Sequence, residues 1–139
     1  MELTENEKKK EFLMSYQKEK RRVRRLEEQL EEVRQNKMSP SVTNDGMPHG
    51  TDKKDLSDYA VKVDEIEQAI IAARYSRICA FQEVQMRIEA MEDEVEKDLL
   101  TYRYLRDLSW VKIAVKMDYS WQHLHKIHAR ALRNFKTCD

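Results

Sequence analysis

The chain has 139 residues, enough for one compact domain or for a small domain carrying an extended appendage. Apolar residues make up 40% and charged residues 37%, glycine and proline contribute two each, and the formal net charge is zero. This composition predicts long, solvated helices, and it excludes a global field drawing the whole chain to nucleic acid or membrane, so any basic surface must come from local segregation.

No apolar run approaches the roughly 18 residues that span a bilayer, and the opening MELTENEKKKEF lacks the apolar stretch of a signal peptide. A cytoplasmic location with no membrane partner is therefore expected. Cys79 and Cys138 lie far apart and outside any paired-cysteine motif, which predicts reduced thiols rather than a disulfide framework or a zinc knuckle.

Residues 1–36 predict a first long helix. Phe12, Tyr16, Val23, Leu26, Leu30 and Val33 follow heptad a/d spacing, with the polar Glu19 in the skipped position. Its basic runs, KKK and KEKRRVRR, are followed almost one for one by acids in EEQLEE. The plain reading is a solvated face laced by pairs three and four apart; the alternative is a basic end, residues 18–25, that touches phosphate or a partner.

All the helix breakers, Pro40, Gly46, Pro48 and Gly50, fall in the Ser-, Thr-, Asn- and Asp-rich stretch 37–56, which predicts a flexible loop. His49 reads as a loop residue without ligand partners. A second long helix is predicted over 57–93. Tyr59, Val63, Ile66, Ile70 and Ala73 repeat the heptad alternation, and Phe81, Val84, Ile88, Met91 and Val95 carry the stripe onward after a stutter near Arg77. At 1.5 Å per residue each helix reaches about 50 Å or more. The two can fold back as an antiparallel, coiled-coil-like hairpin, or the same seams can pair between chains in a homodimer.

Residues 94–139 differ in kind. Ser109 precedes an apolar set at Trp110, Ile113, Ala114 and Met117, and Ser120 precedes another at Leu124, Ile127, Ala131 and Phe135. Serine is a favoured N-cap, and only Asp118 and Tyr119 remain for the turn, which predicts a helix-turn-helix with Asp118 in a left-handed conformation. Ala114 is small enough to admit the second helix closely.

On a wheel of the last helix, Ile127, Ala131 and Phe135 lie within about 60° of Leu124, and His128 lies near the edge of that core side at about 40°. His128 is expected as a partly buried, hydrogen-bonded packing residue. His123 and His125 point elsewhere, so the three rings cannot close on one ion, and neither metal nor cofactor is expected. Opposite the core lie Gln122, Lys126, Ala129, Arg130 and Arg133, flanked by His123 and His125. From residue 120 to 136 there are four cations and no acid. Amide and basic groups on such a face suit a major groove, so Ser120, Trp121, Gln122, His123, His125, Lys126, Ala129, Arg130 and Arg133 are the candidate double-stranded DNA contacts. Trp121 falls between core and groove.

The run LRDLSWVKIAVKMDYSWQHLHKIHARALRNF resembles the fourth conserved region of bacterial sigma factors, the helix-turn-helix that reads the promoter −35 element. The closing IHARALRNF and the approach LLTYRYLRDLSW carry the likeness, which covers about the last third of the chain. The layout as a whole is similar to small phage proteins described as sigma-like or late-gene transcription regulators. The resemblance implies an all-α fold with a sigma region 4-like domain over 94–139 that docks on DNA, and the helical hairpin is then expected to serve dimerisation or contact with RNA polymerase. It does not carry over the −35 hexamer, because Trp121, Gln122, His123 and Lys126 stand where sigma factors place mostly Arg, Glu and Gln. Segments that melt a −10 element are missing.

There is no Gly-rich phosphate loop and no nucleophile beside a base in a predicted helix, so an enzyme is not expected. Two alternatives to a DNA-reading regulator stand beside it: a protein-interaction module, docking on RNA polymerase or another protein without reading DNA, and the DNA-recognition component of a phage packaging terminase.

Overall fold

The computed structural model describes residues 3–38 and 52–138, and every regular element among them is a helix. In chain order these are α1 (Glu5–Leu13), α2 (Ser15–Met38), α3 (Asp52–Glu89), α4 (Glu94–Leu100), a π-helical segment (Thr101–Leu105), α5 (Trp110–Met117) and α6 (Trp121–Asn134). Helix claims both ends of the predicted 37–56 loop, since α2 runs to Met38 and α3 begins at Asp52. Pro40, Gly46, Pro48, His49 and Gly50 lie outside the described residues. No helix among the described residues is long and apolar enough to cross a membrane.

The chain divides into two compact units, Met1–Lys20 with Ser76–Asp139, and Arg21–Tyr75. In the second, Leu30, Ile66 and Ile70 are buried together, with Leu26, Val33 and Val63 packed around them. Arg34 pairs with Glu67 at 2.9 Å and Arg74 with Glu27 at 3.1 Å. A higher number on α2 thus meets a lower one on α3, so within this unit the helices run antiparallel in one chain. The ion pairs are exposed and each adds no more than about 1 kcal/mol, so the apolar seam supplies the stability and the charges mark the register.

The other unit is built around α6. Its N-terminal half packs Leu124 and Ile127 against Leu99 of α4 and Ile113 of α5. Its C-terminal half packs Ala131 and Leu132, with Phe135 just beyond, among Leu13, Val84, Ile88, Leu100 and Leu105. Residues 94–139 therefore do not close on themselves, a correction to the boundary the sequence suggests. Leu13 is fully buried in their core, Phe12 meets Phe135 at 5.8 Å between ring centroids, and Gln17 Nε2 donates to the carbonyls of Arg103 and Tyr104 at 2.9 and 3.1 Å.

Local chemistry explains most boundaries. Thr4 and Glu7 form a reciprocal capping box that opens α1: Thr4 Oγ1 accepts from the Glu7 N–H, and Glu7 Oε2 accepts from the Thr4 N–H. The predicted single helix over 1–36 is interrupted at Met14 between α1 and α2. Asp93 Oδ1 accepts from the Glu96 N–H and starts α4, so the second long helix stops at Glu89 rather than 93 and Val95 belongs to α4. After Leu100 the helix widens: the Arg106 N–H reaches back to the Thr101 carbonyl at 2.9 Å, and Asp107, at φ 57°, ends the segment in the left-handed region.

Candidate nucleic-acid interface

α5 and α6 are joined by Asp118 and Tyr119 followed by the cap Ser120. Ser109 Oγ accepts from the Lys112 N–H at 3.3 Å and Ser120 Oγ accepts from the His123 N–H at 3.1 Å, the N-caps the sequence predicts. Asp118 adopts φ 57° and ψ 46°, and the Tyr119 N–H closes on the Ala114 carbonyl at 3.1 Å. A left-handed residue here brings the Asp118 and Tyr119 N–H groups onto the Ala114 carbonyl while reversing the chain, and Asp accepts that conformation at less cost than bulkier side chains.

On α6 the core side is fixed by Leu124, Ile127, His128, Ala131 and Leu132, all buried. Gln122, Lys126, Ala129 and Arg133 form one exposed row at helical spacing, and Ser120, Trp121 and His123 are exposed beside its start. The side chains of Gln122, Lys126 and Arg133 make no hydrogen bond or ion pair to another side chain among the described residues. That leaves two cations and an amide directed at solvent, with Ala129 leaving the middle of the row low.

Two predicted contact residues are employed differently. Arg130 is held by acids at the start of α4: its Nε donates to Glu96 Oε1 at 2.9 Å, and its Nη2 stands 3.8 Å from Asp93 Oδ2. Asn134 Nδ2 adds hydrogen bonds of 2.8 and 3.2 Å to the same Glu96 carboxylate, which is only 1% exposed. An isolated buried carboxylate costs several kcal/mol, so this charge needs its partners, and Arg130 joins α6 to α4 rather than standing open to phosphate.

His125 is likewise not an open flank. Its ring packs against Trp110 at 4.8 Å and Trp121 at 4.0 Å, and its Nε2 is shielded from solvent with no hydrogen-bond partner among the described residues. Trp121 covers this ring while remaining 59% exposed itself, so it lies on the surface and not in the apolar seam. His123 packs edge-on against Tyr119 at 4.8 Å.

His128 has the packing role the wheel predicts. Its Nε2 and the Tyr104 hydroxyl share a 2.8 Å hydrogen bond, and Trp110 meets the ring edge-on at 4.9 Å. Burial, then the charges of Lys10, His125 and Arg103, hold the imidazole down to about 4, while burial pushes the Tyr104 phenol up to about 12 against the opposing effect of Arg103. Near pH 7 both groups are neutral, so the bond places no charge in the core. The Arg103 guanidinium lies over the Trp110 ring at 4.8 Å and completes this wall.

Leu13, Gln17, Leu132 and the Glu96–Arg130 pair escaped sequence reasoning. The N-cap Asp93 and the S/T-x-x-E pattern of the capping box were present as signals; the long-range pairings had none. Among the described residues no group of three or more His, Cys, Asp or Glu side chains could hold a metal ion, and Cys79 and Cys138 are separate exposed thiols. Comparison of the chain with protein-family models, curated proteins and solved structures finds no match.

Proposed function

We propose that this protein is a non-enzymatic, DNA-binding transcriptional regulator of the helix-turn-helix class, working in the cytoplasm of a bacterial host like the small phage sigma-like regulators it resembles. The observation that carries the reading is the acid-free outer row of α6, Gln122–Lys126–Ala129–Arg133, set directly after a tight left-handed turn. In the major groove, Gln122 is placed to read a base edge, with Ser120, Trp121 and His123 beside it, while Lys126 and Arg133 bind phosphate and Ala129 permits close approach. The paired helices of Arg21–Tyr75 serve dimerisation or contact with RNA polymerase.

The test is selection of random duplex DNA by the full chain at moderate salt, with a Gln122→Ala, Lys126→Ala variant run in parallel. Arg130 is left intact because its loss would disturb the fold. An enriched motif that disappears in the variant supports the reading, and absence of enrichment with the wild-type chain rejects it.

A second reading is favoured by the exposure of Val111, Val115 and Trp121, at 71%, 78% and 59%. Apolar side chains this open around α5 and the start of α6 suit a protein partner. In that case the chain docks on RNA polymerase or another protein without reading DNA, and Val111→Ser with Val115→Ser abolishes the association while Gln122→Ala does not.

A further inference from the structure

If α6 enters a major groove, its length has a consequence for α1. From Trp121 to Asn134 the helix extends about 20 Å at 1.5 Å per residue, whereas the groove is about 12 Å wide. An α6 that enters by its N-terminus, with its first two turns on base edges, carries its last turn toward the flanking phosphates. That end of α6 is where α1 is seated. Lys9 Nζ donates to the carbonyls of Leu132 and Arg133 at 2.9 and 3.1 Å, satisfying groups that the helix terminus leaves open. Leu13 fills the core beside Phe135, and the Phe12 ring rests on Phe135.

Lys8 and Lys10 flank that anchor, and both are exposed. Neither pairs with an acid among the described residues. Lys10 is near enough to His128 for its charge to contribute to the lowered basicity of that ring. Among the acids of α1, Glu7 is turned back onto Thr4, and Glu5 and Glu11 remain exposed. At the end of α6, Arg133 is exposed as well, whereas Lys136 lines a cavity with Glu92, Asp93 and Glu96 and is set apart from this group. The fold thus gathers cations from the two ends of the sequence at one end of the reading helix, although the chain as a whole is neutral.

We infer that α1 is a second DNA-contacting element, in which Lys8 and Lys10 bind the duplex backbone beside Arg133 where α6 leaves the groove. This rests on the DNA-reading proposal. Contacts of this kind carry no sequence information; they position the reading helix and add affinity to every duplex equally.

The experiment measures binding of the full chain to a random-sequence duplex of about 20 base pairs across a salt series. Wild type is compared with Lys8→Gln, Lys10→Gln and with Lys62→Gln, an exposed cation of α3. Each lost phosphate contact reduces the slope of log K against log salt by about 0.9, so the double variant should be shallower by about 1.8. Lys62→Gln should match wild type, and melting temperatures should be unchanged throughout. Wild-type binding with an unaltered slope in the double variant overturns the role of α1 and leaves the reading by α6 standing. Absence of any salt-dependent binding by the wild-type chain overturns both.

Discussion

Arg130 Nε donates to the Glu96 carboxylate at 2.9 Å, and this bond ties the outer side of α6 to the first turn of α4. Glu96 is buried and Arg130 half exposed, so the two ends of the pair are not equivalent. Removing the arginine leaves a buried carboxylate with Asn134 as its remaining close donor. Arg130→Ala should therefore destabilise the chain by about 3 kcal/mol, whereas the double change Arg130→Met, Glu96→Leu should recover most of the loss. Urea denaturation of the two variants checks this; an Arg130→Ala midpoint equal to wild type would show the pair to be unimportant.

His128 makes stability depend on pH. Its folded-state value near 4 lies below the ordinary 6.5, so the unfolded chain takes up the proton first as pH falls. The stabilisation is complete above about pH 6.5, declines through the window and is lost below about pH 4. The loss should be on the order of 2 kcal/mol after discounting for residual solvent access. Melting curves from pH 7 to 4, compared with His128→Gln, isolate this contribution from the carboxylates, and a wild-type curve parallel to the variant's would contradict it.

His125 predicts the opposite behaviour under substitution. A buried nitrogen with no hydrogen-bond partner among the described residues gains nothing from being polar, and the ring already lies between two tryptophans. His125→Phe should hold or raise the melting temperature, with a gain of about 1 kcal/mol or less. A clear fall in the melting temperature would mean that the imidazole nitrogen is needed.

The left-handed turn is tested at Asp118. Asp118→Gly should change stability by no more than about 0.5 kcal/mol, because relief of the strained conformation offsets the added freedom of the unfolded chain. Asp118→Val, whose branched side chain resists φ 57°, should cost about 1–2 kcal/mol. Equal stability of the two variants would be inconsistent with the turn.

Leu13 decides whether residues 94–139 are independent. Leu13→Ala should cost about 2–5 kcal/mol, and a fragment beginning at Glu94 should lack a cooperative unfolding transition. Such a fragment melting as sharply as the whole chain would show α1 to be dispensable.

Sequence reading succeeded where the determining chemistry is local. Ser109 and Ser120 cap because of their own side chains, Asp118 turns because of its own φ, and the apolar periodicity of Leu124, Ile127 and Ala131 marks the core side of α6. Leu26, Leu30 and Val33 meet Val63, Ile66 and Ile70 because both helices keep one heptad seam there. Near the start of the chain the same extrapolation slips by one residue. Leu13 and Gln17 are the buried positions, and Phe12 and Tyr16 are half buried, because α1 and the start of α2 pack among several elements instead of one facing helix. Arg130 escaped for a related reason: on a wheel it faces outward, and nothing local reveals that the first turn of α4 supplies acids to meet it.

The seating of α1 also imposes an order on synthesis. Gln17 must wait 87 residues for the Tyr104 carbonyl, and Lys9 must wait 123 for that of Leu132. Closing a loop of that length costs chain entropy before any contact rewards it. The antiparallel seam within Arg21–Tyr75 is complete much earlier, and by bringing its own ends together it shortens what remains to be closed. Until α6 emerges from the ribosome, Phe12 and Leu13 have no aromatic partner and no finished core to enter. A nascent chain paused before residue 120 therefore leaves Phe12 and Leu13 uncovered at the end of an otherwise charged α1.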